Sequence, residues 1–214
     1  MWSVDGLMLR ATAIAFALLL AGCAAPTPAA GDTTPTETTV TNTPCDFALD
    51  MSDPAAVERF RVVLDGVMGG KSTGTRYFES GEGQDGHMVF RGAINTDGGG
   101  FSSMRMEVEQ GRLSGARALR LLLRPDGRAY QLRFRTSERF RGRSVSYGVA
   151  IPATPPGEWA EVEVPLEDFT TTIFGRTVPA APFEAADVRE LGIILADGVD
   201  GPFQLEVARV ECVG

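Results

Sequence analysis

Apolar and polar residues alternate along several segments of this chain, and this period of two restricts it to a fold built from strands. Four segments carry apolar residues at every second position: Leu119, Leu121 and Leu123; Tyr130, Leu132 and Phe134; Val162 and Val164; and Phe203, Leu205 and Val207. Successive side chains of a strand point to opposite faces of a sheet, so each segment has one apolar and one polar face. This pattern is typical of antiparallel sheets that pack on one shared core.

Turn sequences separate these segments at short intervals. They are Asp97-Gly98, Pro125-Asp126-Gly127, Pro155-Pro156-Gly157 and Asp200-Gly201-Pro202. Only two short helices are predicted, one over 54–59 with Pro54 at its first position and one over 184–190. We therefore expect an all-β fold, a jelly-roll β-sandwich of roughly ten short strands with one or two short helices.

The N-terminal segment has the features of a bacterial lipoprotein signal. Arg10 precedes an apolar run over 11–20, which is too short to span a bilayer as a helix but has the length of a signal-peptide apolar region. The run ends in Leu20-Ala21-Gly22-Cys23, and small residues directly before a cysteine mark the point of cleavage and lipidation. We therefore predict a signal peptide over 1–22 and lipidation of Cys23. An ordinary secretory signal with an incidental cysteine is the alternative.

Lipidation would anchor the protein to a membrane of the cell envelope. The segment 23–44, which follows the signal, is rich in Thr, Pro and Ala and is expected to be a disordered linker that begins at the lipidated cysteine. Residue 24 is Ala rather than the Asp that favours inner-membrane retention in a Gram-negative cell, so the periplasmic side of the outer membrane is the expected location. Residues 45–214 have the length of one domain with a full core.

Two cysteines remain besides Cys23, and they lie near the two ends of this domain. In an oxidising envelope, Cys45 and Cys212 are expected to form a disulfide. Two buried thiols are the alternative.

A glycine-rich segment over 63–72 has some residues of a nucleotide-binding loop but not its spacing. Such a loop needs a glycine, four further residues and then Gly-Lys-Ser or Gly-Lys-Thr, so that its amide groups surround phosphates. The position of the first glycine is occupied by Asp65, whose carboxylate would repel a phosphate. We therefore expect no nucleotide to bind here.

The same segment is better interpreted as a rigid turn. Asp65 and Ser72 have short polar side chains that can bond to turn amides. We expect this turn and the glycines at 98–100 to lie against each other, with Met68 and Phe101 as apolar plugs. The alternative is that these loops form a partner-binding patch together with Arg105, Arg128 and Tyr130.

Seven short motifs follow one another along the domain. They are Asp65-Gly66-Val67-Met68-Gly69-Gly70-x-Ser72, Phe90-Arg91-Gly92, Gly99-Gly100-Phe101-Ser102-Ser103-x-Arg105, Asp126-Gly127-Arg128-x-Tyr130-Gln131, Val164-Pro165-Leu166-x-Asp168-Phe169, Leu191-Gly192-Ile193 and Gly201-Pro202-Phe203-x-Leu205. In this order they resemble the complex I intermediate-associated protein 30 family, over nearly all of residues 59–211. The resemblance implies a galactose-binding-like jelly roll. It also implies a role without known catalysis, since mitochondrial relatives act as assembly factors for respiratory complex I.

The chain is acidic overall, with a net charge of −8, but its arginines concentrate in one region. Residues 117–143 contain nine arginines and only two acidic residues. Four of the arginines are expected on the polar face of two neighbouring strands: Arg120, Arg124, Arg133 and Arg135. Planar guanidinium groups on one face suit carboxylates or phosphates, whereas pairing with acids of adjacent strands is the alternative. The net charge and the expected compartment argue against nucleic acid as a partner.

The residue types and their spacing give little support for a catalytic or metal centre. His87 is the only histidine, so there is no histidine pair to hold a metal, and a lone histidine in a strand is expected to be structural. Glu161 and Glu163 lie about 7 Å apart on one strand face, as the two carboxylates of a glycosidase could, but a solvated strand face is the expected role. We therefore expect no enzyme activity, no catalytic residue, no metal and no cofactor.

These observations favour a non-catalytic, lipid-anchored binding protein of the cell envelope. By family resemblance, the expected partner is another envelope protein whose assembly it assists, and the alternative partner is an acidic polysaccharide. The candidate binding and motif residues are Asp65, Met68, Gly69, Gly70, Ser72, Phe101, Ser102, Ser103, Arg105, Arg128, Tyr130 and Arg133.

Overall fold

The computed structural model of the protein describes residues 45–80 and 86–214. The predicted signal peptide, the lipidation site Cys23 and the linker up to residue 44 lie outside the described residues. Within the described ranges, no helix is long and apolar enough to cross a membrane.

Thirteen strands, one α-helix and two 3-10 turns make up the described part of the chain. The strands are β1 (Ala48–Asp50), β2 (Arg61–Leu64), β3 (Thr73–Glu79), β4 (His87–Ile94), β5 (Ser102–Glu107), β6 (Ala118–Pro125), β7 (Tyr130–Phe140), β8 (Arg143–Ala150), β9 (Ala160–Pro165), β10 (Thr170–Ile173), β11 (Arg176–Thr177), β12 (Glu190–Leu195) and β13 (Gly201–Val213). The helix α1 is Pro54–Glu58, and the 3-10 turns are Asp65–Met68 and Ala185–Asp187.

The strands form two antiparallel sheets that enclose one core. The six-stranded sheet has the order β3-β4-β13-β6-β9, with β1 also paired to β13. The seven-stranded sheet has the order β11-β10-β8-β7-β12-β5-β2. This arrangement confirms the predicted all-β jelly-roll sandwich.

The core is built from the alternating apolar residues that predicted the strands. Leu121 of β6 and Phe134 of β7 are fully buried, and both belong to one apolar cluster to which the two sheets contribute. Burying a side chain of this size contributes about 1.5–3 kcal/mol. Within each strand, the residues that alternate with these apolar ones point away from the core. The outer faces of the two sheets therefore carry the polar side chains.

The predicted face of four arginines is wrong, because β6 and β7 lie in different sheets. Residues 126–129 do not close a hairpin but carry the chain from one sheet to the other. Arg120 and Arg124 therefore lie on the outer face of the six-stranded sheet, and Arg133 and Arg135 lie on that of the seven-stranded sheet. A Pro-Asp-Gly sequence favours a change of direction but does not specify which sheet the next strand joins.

Helix α1 confirms the first predicted helix. Asp53 caps it by accepting a hydrogen bond from the amide of Ala55 (2.9 Å), and Pro54 takes the first helical position, where no N–H is needed. The second predicted helix is wrong, since residues 184–190 form a short 3-10 turn and then the start of β12. Burial explains the difference, because all 6 residues of β12 are buried between neighbouring strands.

Cys45 and Cys212 form the predicted disulfide, with their Cα atoms 6.0 Å apart. A backbone bond holds the same region, since the amide of Cys212 donates to the carbonyl of Phe47 (2.9 Å). The bridge therefore joins the beginning of the described domain to its last strand, β13.

Removing the disulfide should lower the stability of the domain without changing its fold. The two cysteines are 167 residues apart in sequence, and for a loop of this length the chain-entropy model gives about 5 kcal/mol. We expect the double variant Cys45→Ser, Cys212→Ser to unfold at a lower urea concentration than the oxidised wild type. Wild-type protein reduced with dithiothreitol is the matched control and should unfold at the same urea concentration as the variant. Equal midpoints for the variant and the oxidised wild type would contradict the prediction.

Candidate functional site

A buried carboxylate, that of Asp65, joins the two glycine-rich loops. It follows β2 in a 3-10 turn and is fully buried. Its oxygens accept hydrogen bonds from the amide (3.2 Å) and the hydroxyl (2.6 Å) of Ser72 in its own loop. They also accept from the amides of Gly100 (2.6 Å) and Phe101 (3.3 Å) in the loop before β5. The two loops therefore lie against each other, as the sequence indicated; the side chain of Met68, the other predicted plug, lies outside the described part.

The glycines of both loops pack directly against this carboxylate. A Cβ atom at Gly70 would lie 2.1 Å from Cγ of Asp65, and one at Gly99 would lie 2.4 Å from its Oδ2. Gly69 has a φ of 86°, a left-handed conformation that glycine adopts without strain. The loop that resembles a phosphate-binding loop in sequence thus encloses a carboxylate of its own chain.

Hydrogen bonds keep Asp65 ionised despite its burial. Burial alone would raise the pKa of its carboxyl group, but the bonds from Ser72, Gly100 and Phe101 outweigh this effect and lower the pKa of Asp65 below its ordinary value. The charged form is therefore the one that the fold stabilises.

The loop held by Asp65 forms one wall of a cleft on the outer face of the seven-stranded sheet. The cleft has a volume of about 350 Å³. We call it the arginine cleft, and its lining includes Phe101, Arg105, Arg133, Arg135, Thr172 and Phe174.

Two glycines of neighbouring strands lie next to these arginines. Gly192 of β12 pairs with Arg105 of β5 on one side and with Arg133 of β7 on the other, and Gly148 of β8 pairs with Arg133. A Cβ atom at Gly192 would lie 2.9 Å from Cγ of Arg105, and one at Gly148 would lie 3.5 Å from Nε of Arg133. Each arginine therefore extends over a neighbouring glycine, in space that a larger residue would restrict.

One carboxylate, that of Glu190, holds three of the arginines on this face. Its oxygens form ion pairs with Arg61, with Arg105 (3.6 Å) and with Arg135 (3.5 Å), and its side chain is only 11% exposed. Burial lowers the pKa of Arg105 to about 10; Glu190 opposes this effect, and the charges of the other arginines add to it. Positive charge is therefore in excess around the cleft.

Arg133 differs from these arginines because it forms no ion pair with any described residue. Its Nη1 donates to the hydroxyl of Thr172 (2.8 Å), whereas its buried Nε has no hydrogen-bond partner in the described ranges. Burial, with the charge of Arg135 as the smaller cause, lowers the pKa of Arg133. A half-buried guanidinium with an unused buried donor and no acidic partner is unfavourable by itself, so Arg133 is the residue that most favours a site for an anionic ligand.

Phe174 stands at the mouth of the arginine cleft and is 71% exposed. Together with Gly175 it forms the turn between β10 and β11, and both residues have positive φ values, 47° and 74°. This is the geometry of a type I′ turn, which favours Asn or Gly over an aromatic residue. An exposed ring held in an unfavourable backbone conformation makes Phe174 a candidate ligand contact.

Two predicted binding residues, Arg128 and Tyr130, form internal contacts instead. Arg128 makes an ion pair with Asp197 (2.6 Å) and donates to three backbone carbonyl groups. Tyr130 is buried, and its hydroxyl donates to Asp126 (3.1 Å). Arg128 also lines a wider depression of about 680 Å³ on the six-stranded sheet, but its donors are already occupied there.

The predicted residues Ser102 and Ser103 are both buried in β5. The hydroxyl of Ser103 donates to the carbonyl of Val63 (3.0 Å) and accepts from Nε of Arg105 (3.0 Å). Ser103 therefore positions an arginine of the cleft rather than meeting a ligand itself.

Arginines on the six-stranded sheet are paired with acids of neighbouring strands. Arg120 contacts Glu161 (3.6 Å) and Glu163 (3.3 Å), and Arg124 pairs with Glu206. On this sheet the alternative interpretation, cross-strand pairing, is the one that the structure shows.

Sequence reasoning missed four residues of this region: Arg61, Glu190, Thr172 and Phe174. Glu190 fell in a segment predicted as helix, and the short strand β10 was not recognised. A detectable signal was present, because the β-branched run over 170–173 followed by Phe174-Gly175 is typical of a strand and a hairpin turn.

Replacing Asp65 with Asn should destabilise the domain in a pH-dependent way. Because the pKa of Asp65 is lower in the folded state than in the unfolded state, its carboxylate stabilises the fold at neutral pH. This contribution is lost as the pH falls from the unfolded-state pKa of about 3.9 through the lower folded-state pKa. Near neutral pH we expect the free energy of unfolding to fall by about 2–3 kcal/mol, because hydrogen bonds to a buried charged group contribute stabilisation of this size. Urea titrations at about pH 7 and about pH 3 should show a smaller difference at the lower pH. A difference that does not depend on pH would contradict this role.

Gly70→Val should destabilise the domain far more than Lys71→Ala. A side chain at residue 70 collides with Asp65, and overpacking of this kind costs about 1–3 kcal/mol or more. Lys71 only pairs with Asp97 (2.5 Å) at the exposed surface, and such pairs contribute about 1 kcal/mol at most. Thermal unfolding of both variants makes the comparison. A larger decrease in melting temperature for Lys71→Ala than for Gly70→Val would mean that the loop is not built around Asp65.

Comparison with known proteins agrees with this architecture. No curated protein is significantly similar to the chain in sequence. One similar solved structure is a family 11 carbohydrate-binding module from Clostridium thermocellum in complex with a β-1,3-1,4-mixed-linked tetrasaccharide, with a TM-score of 0.54 and 15% identity over 73% of this chain and 89% of that chain. Another is the family 11 carbohydrate-binding module of the cellulosomal cellulase Lic26A-Cel5E of Clostridium thermocellum, with a TM-score of 0.53 and 12% identity over 72% of this chain and 86% of that chain.

At these identities the two structures show the fold alone. The family itself comes from the sequence model for Complex I intermediate-associated protein 30 (CIA30), which matches residues 49–207. The chain therefore belongs to the CIA30 family.

Proposed function

We propose that this protein is a non-catalytic binding domain, anchored in the cell envelope through a lipidated Cys23, that holds an acidic polysaccharide in the arginine cleft. The observation that carries the proposal is Arg133, whose buried Nε has no hydrogen-bond partner among the described residues. A sugar carboxylate would supply the negative charge that the cleft lacks.

The arginine cleft suits the two kinds of surface that an acidic sugar presents. The planar guanidinium of Arg133 can donate two parallel hydrogen bonds to a carboxylate. The hydroxyl groups of Ser146 and Thr172 lie in the same lining and can bond to sugar hydroxyls. Phe101 and Phe174 add aromatic surface on which the apolar face of a sugar ring can pack.

The same lining lacks the groups that a glycosidase needs. Hydrolysis of a glycosidic bond uses two carboxyl groups, one on each side of the bond. Among the described residues that line the arginine cleft there is no carboxylate and no histidine. The neighbouring Glu190 is already paired with three arginines. This composition supports binding without reaction.

The similar solved structures support a sugar as the class of ligand. Both are named as carbohydrate-binding modules, and in one the same type of sandwich is complexed with a tetrasaccharide. The arginines of the cleft favour an acidic sugar for the present chain.

A protein partner is the second candidate, and membership of the CIA30 family favours it. An acidic segment of another envelope protein would present Asp or Glu carboxylates to the same arginines. An exposed aromatic residue such as Phe174 and well-placed arginines are typical of residues that dominate protein interfaces. In that case the domain would assist the assembly of its partner.

Replacing Arg133 with Ala should weaken the binding of a uronic-acid oligosaccharide by about 30-fold or more, because removing one partner of a buried charge pair costs about 2 kcal/mol or more. Arg133→Lys should recover only part of the affinity, since an ammonium group retains the charge but not the planar pair of donors. Isothermal titration calorimetry measures both, with the full chain in a Cys23→Ser background and an oligogalacturonate as ligand.

Arg120→Ala is the matched control, because it removes an arginine from the other sheet. It should leave the affinity unchanged, and a neutral oligogalactose of the same length should not bind. Uronate binding that survives Arg133→Ala would exclude the arginine cleft as the site. Binding of an acidic peptide, and not of the oligogalacturonate, in a manner that depends on Arg133 would favour the protein partner over the sugar.

A further inference from the structure

Three potential metal ligands meet on the outer face of the six-stranded sheet, away from the arginine cleft. Glu79 ends β3, His87 begins β4 and Glu206 lies in β13, so three adjacent strands each contribute one side chain. Nε2 of His87 lies 3.4 Å from Oε2 of Glu79 and 3.1 Å from Oε2 of Glu206. All three ligand atoms lie within 4.8 Å of one another.

The imidazole of His87 is buried, yet its Nε2 atom is unused. The side chains of His87 and Glu206 are only 7% and 5% exposed, and the ring of Trp159 packs edge-on against the imidazole with its centroid 5.3 Å away. Among the described residues, Nε2 has no hydrogen-bond partner, although two carboxylate oxygens lie close to it. A buried polar atom without a partner calls for an explanation, and a bound cation would supply one.

The distances fit a metal ion placed between the three atoms. Bonds to nitrogen and oxygen in a tetrahedral zinc site are about 2.0–2.2 Å long, which separates neighbouring ligand atoms by about 3.4 Å. The separations of 3.4 Å and 3.1 Å from Nε2 are close to this value. Oε2 of Glu206 also pairs with Arg124, and Oε1 accepts from Nε2 of Gln204 (2.8 Å), so the metal would share this carboxylate with both residues.

The charges of the cluster also favour a cation. Two carboxylates face one imidazole, which binds a metal through its neutral form. Arg124 offsets part of this negative charge, because it pairs with Glu206 while its guanidinium lies 5.2 Å from the centre of the Trp159 ring. Glu79 is 48% exposed, so an ion can reach the site from solvent on that side.

We propose that Glu79, His87 and Glu206 bind a divalent transition-metal ion, for which zinc is the best match. Histidine nitrogen and carboxylate oxygen are both zinc ligands, and three protein ligands leave a fourth position open for water. The ion would join β3, β4 and β13 at one point. It lies on the other sheet from the arginine cleft, so this site stands whether or not that cleft binds a sugar.

Zinc titration of the full chain tests the site. A Cys23→Ser background removes the cysteine outside the disulfide, so that no thiol competes for the metal. Calorimetry and elemental analysis after gel filtration should give one zinc ion per chain. His87→Ala should lose this ion, and Glu79→Gln should weaken its binding by roughly tenfold or more. Arg124→Gln should strengthen binding, because it removes a competing cation from Glu206.

Glu163→Gln is the matched control, since it removes a carboxylate from the same face outside the cluster, and it should leave zinc binding unchanged. No zinc on the wild type, or equal binding in His87→Ala, would overturn the proposal. If His87→Ala does not fold, the nitrogen resonances of the single histidine in the wild type still decide the question. The Nε2 resonance should shift when zinc is added, and an unchanged resonance would overturn the proposal as well.

Discussion

A single buried carboxylate, that of Asp65, holds the loops on which the candidate site depends. Its donors come from two loops that are distant in sequence, so the conformation of each loop depends on the other. The glycines around it leave no room for a larger side chain. Because Gly100 and Phe101 bond to this carboxylate and also line the arginine cleft, the same interaction that stabilises the loops sets one wall of the site.

The two sheets use arginine in different ways. On the six-stranded sheet, Arg120 and Arg124 are paired with acids of neighbouring strands, which is the ordinary surface of an antiparallel sheet. On the seven-stranded sheet, three arginines share Glu190, and Arg133 has no acidic partner among the described residues. Desolvated positive charge in excess of its partners is unfavourable, and an anionic ligand would relieve it. The distribution of acids around the arginines, rather than the number of arginines, therefore distinguishes the proposed binding face from the other sheet.

Most of the fold could be predicted from local patterns, because alternation marks strands and glycine, proline and aspartate mark turns. The assignment of strands to the two sheets could not be predicted in this way. A turn sequence is the same whether the chain returns to its own sheet or crosses to the other. Glu190 was missed for the same reason: its role depends on strands that pair with it from both sides. Phe174 was missed because its hairpin is too short to alternate. Arg128 and Tyr130 are conspicuous polar residues of a motif, and their contacts with Asp197 and Asp126 inside the fold could not be predicted from the local sequence.

The most direct measurement of ligand binding at the arginine cleft is an NMR titration of the arginine Nε–Hε resonances with an oligogalacturonate. These resonances report on the donors themselves and need no substitution. We predict that the signals of Arg133 and Arg105 shift together and saturate with the sugar, while those of Arg120 and Arg124 stay in place. Shifts confined to the arginines of the six-stranded sheet, or no arginine shift at saturating sugar, would contradict the arginine cleft as the site of an acidic polysaccharide.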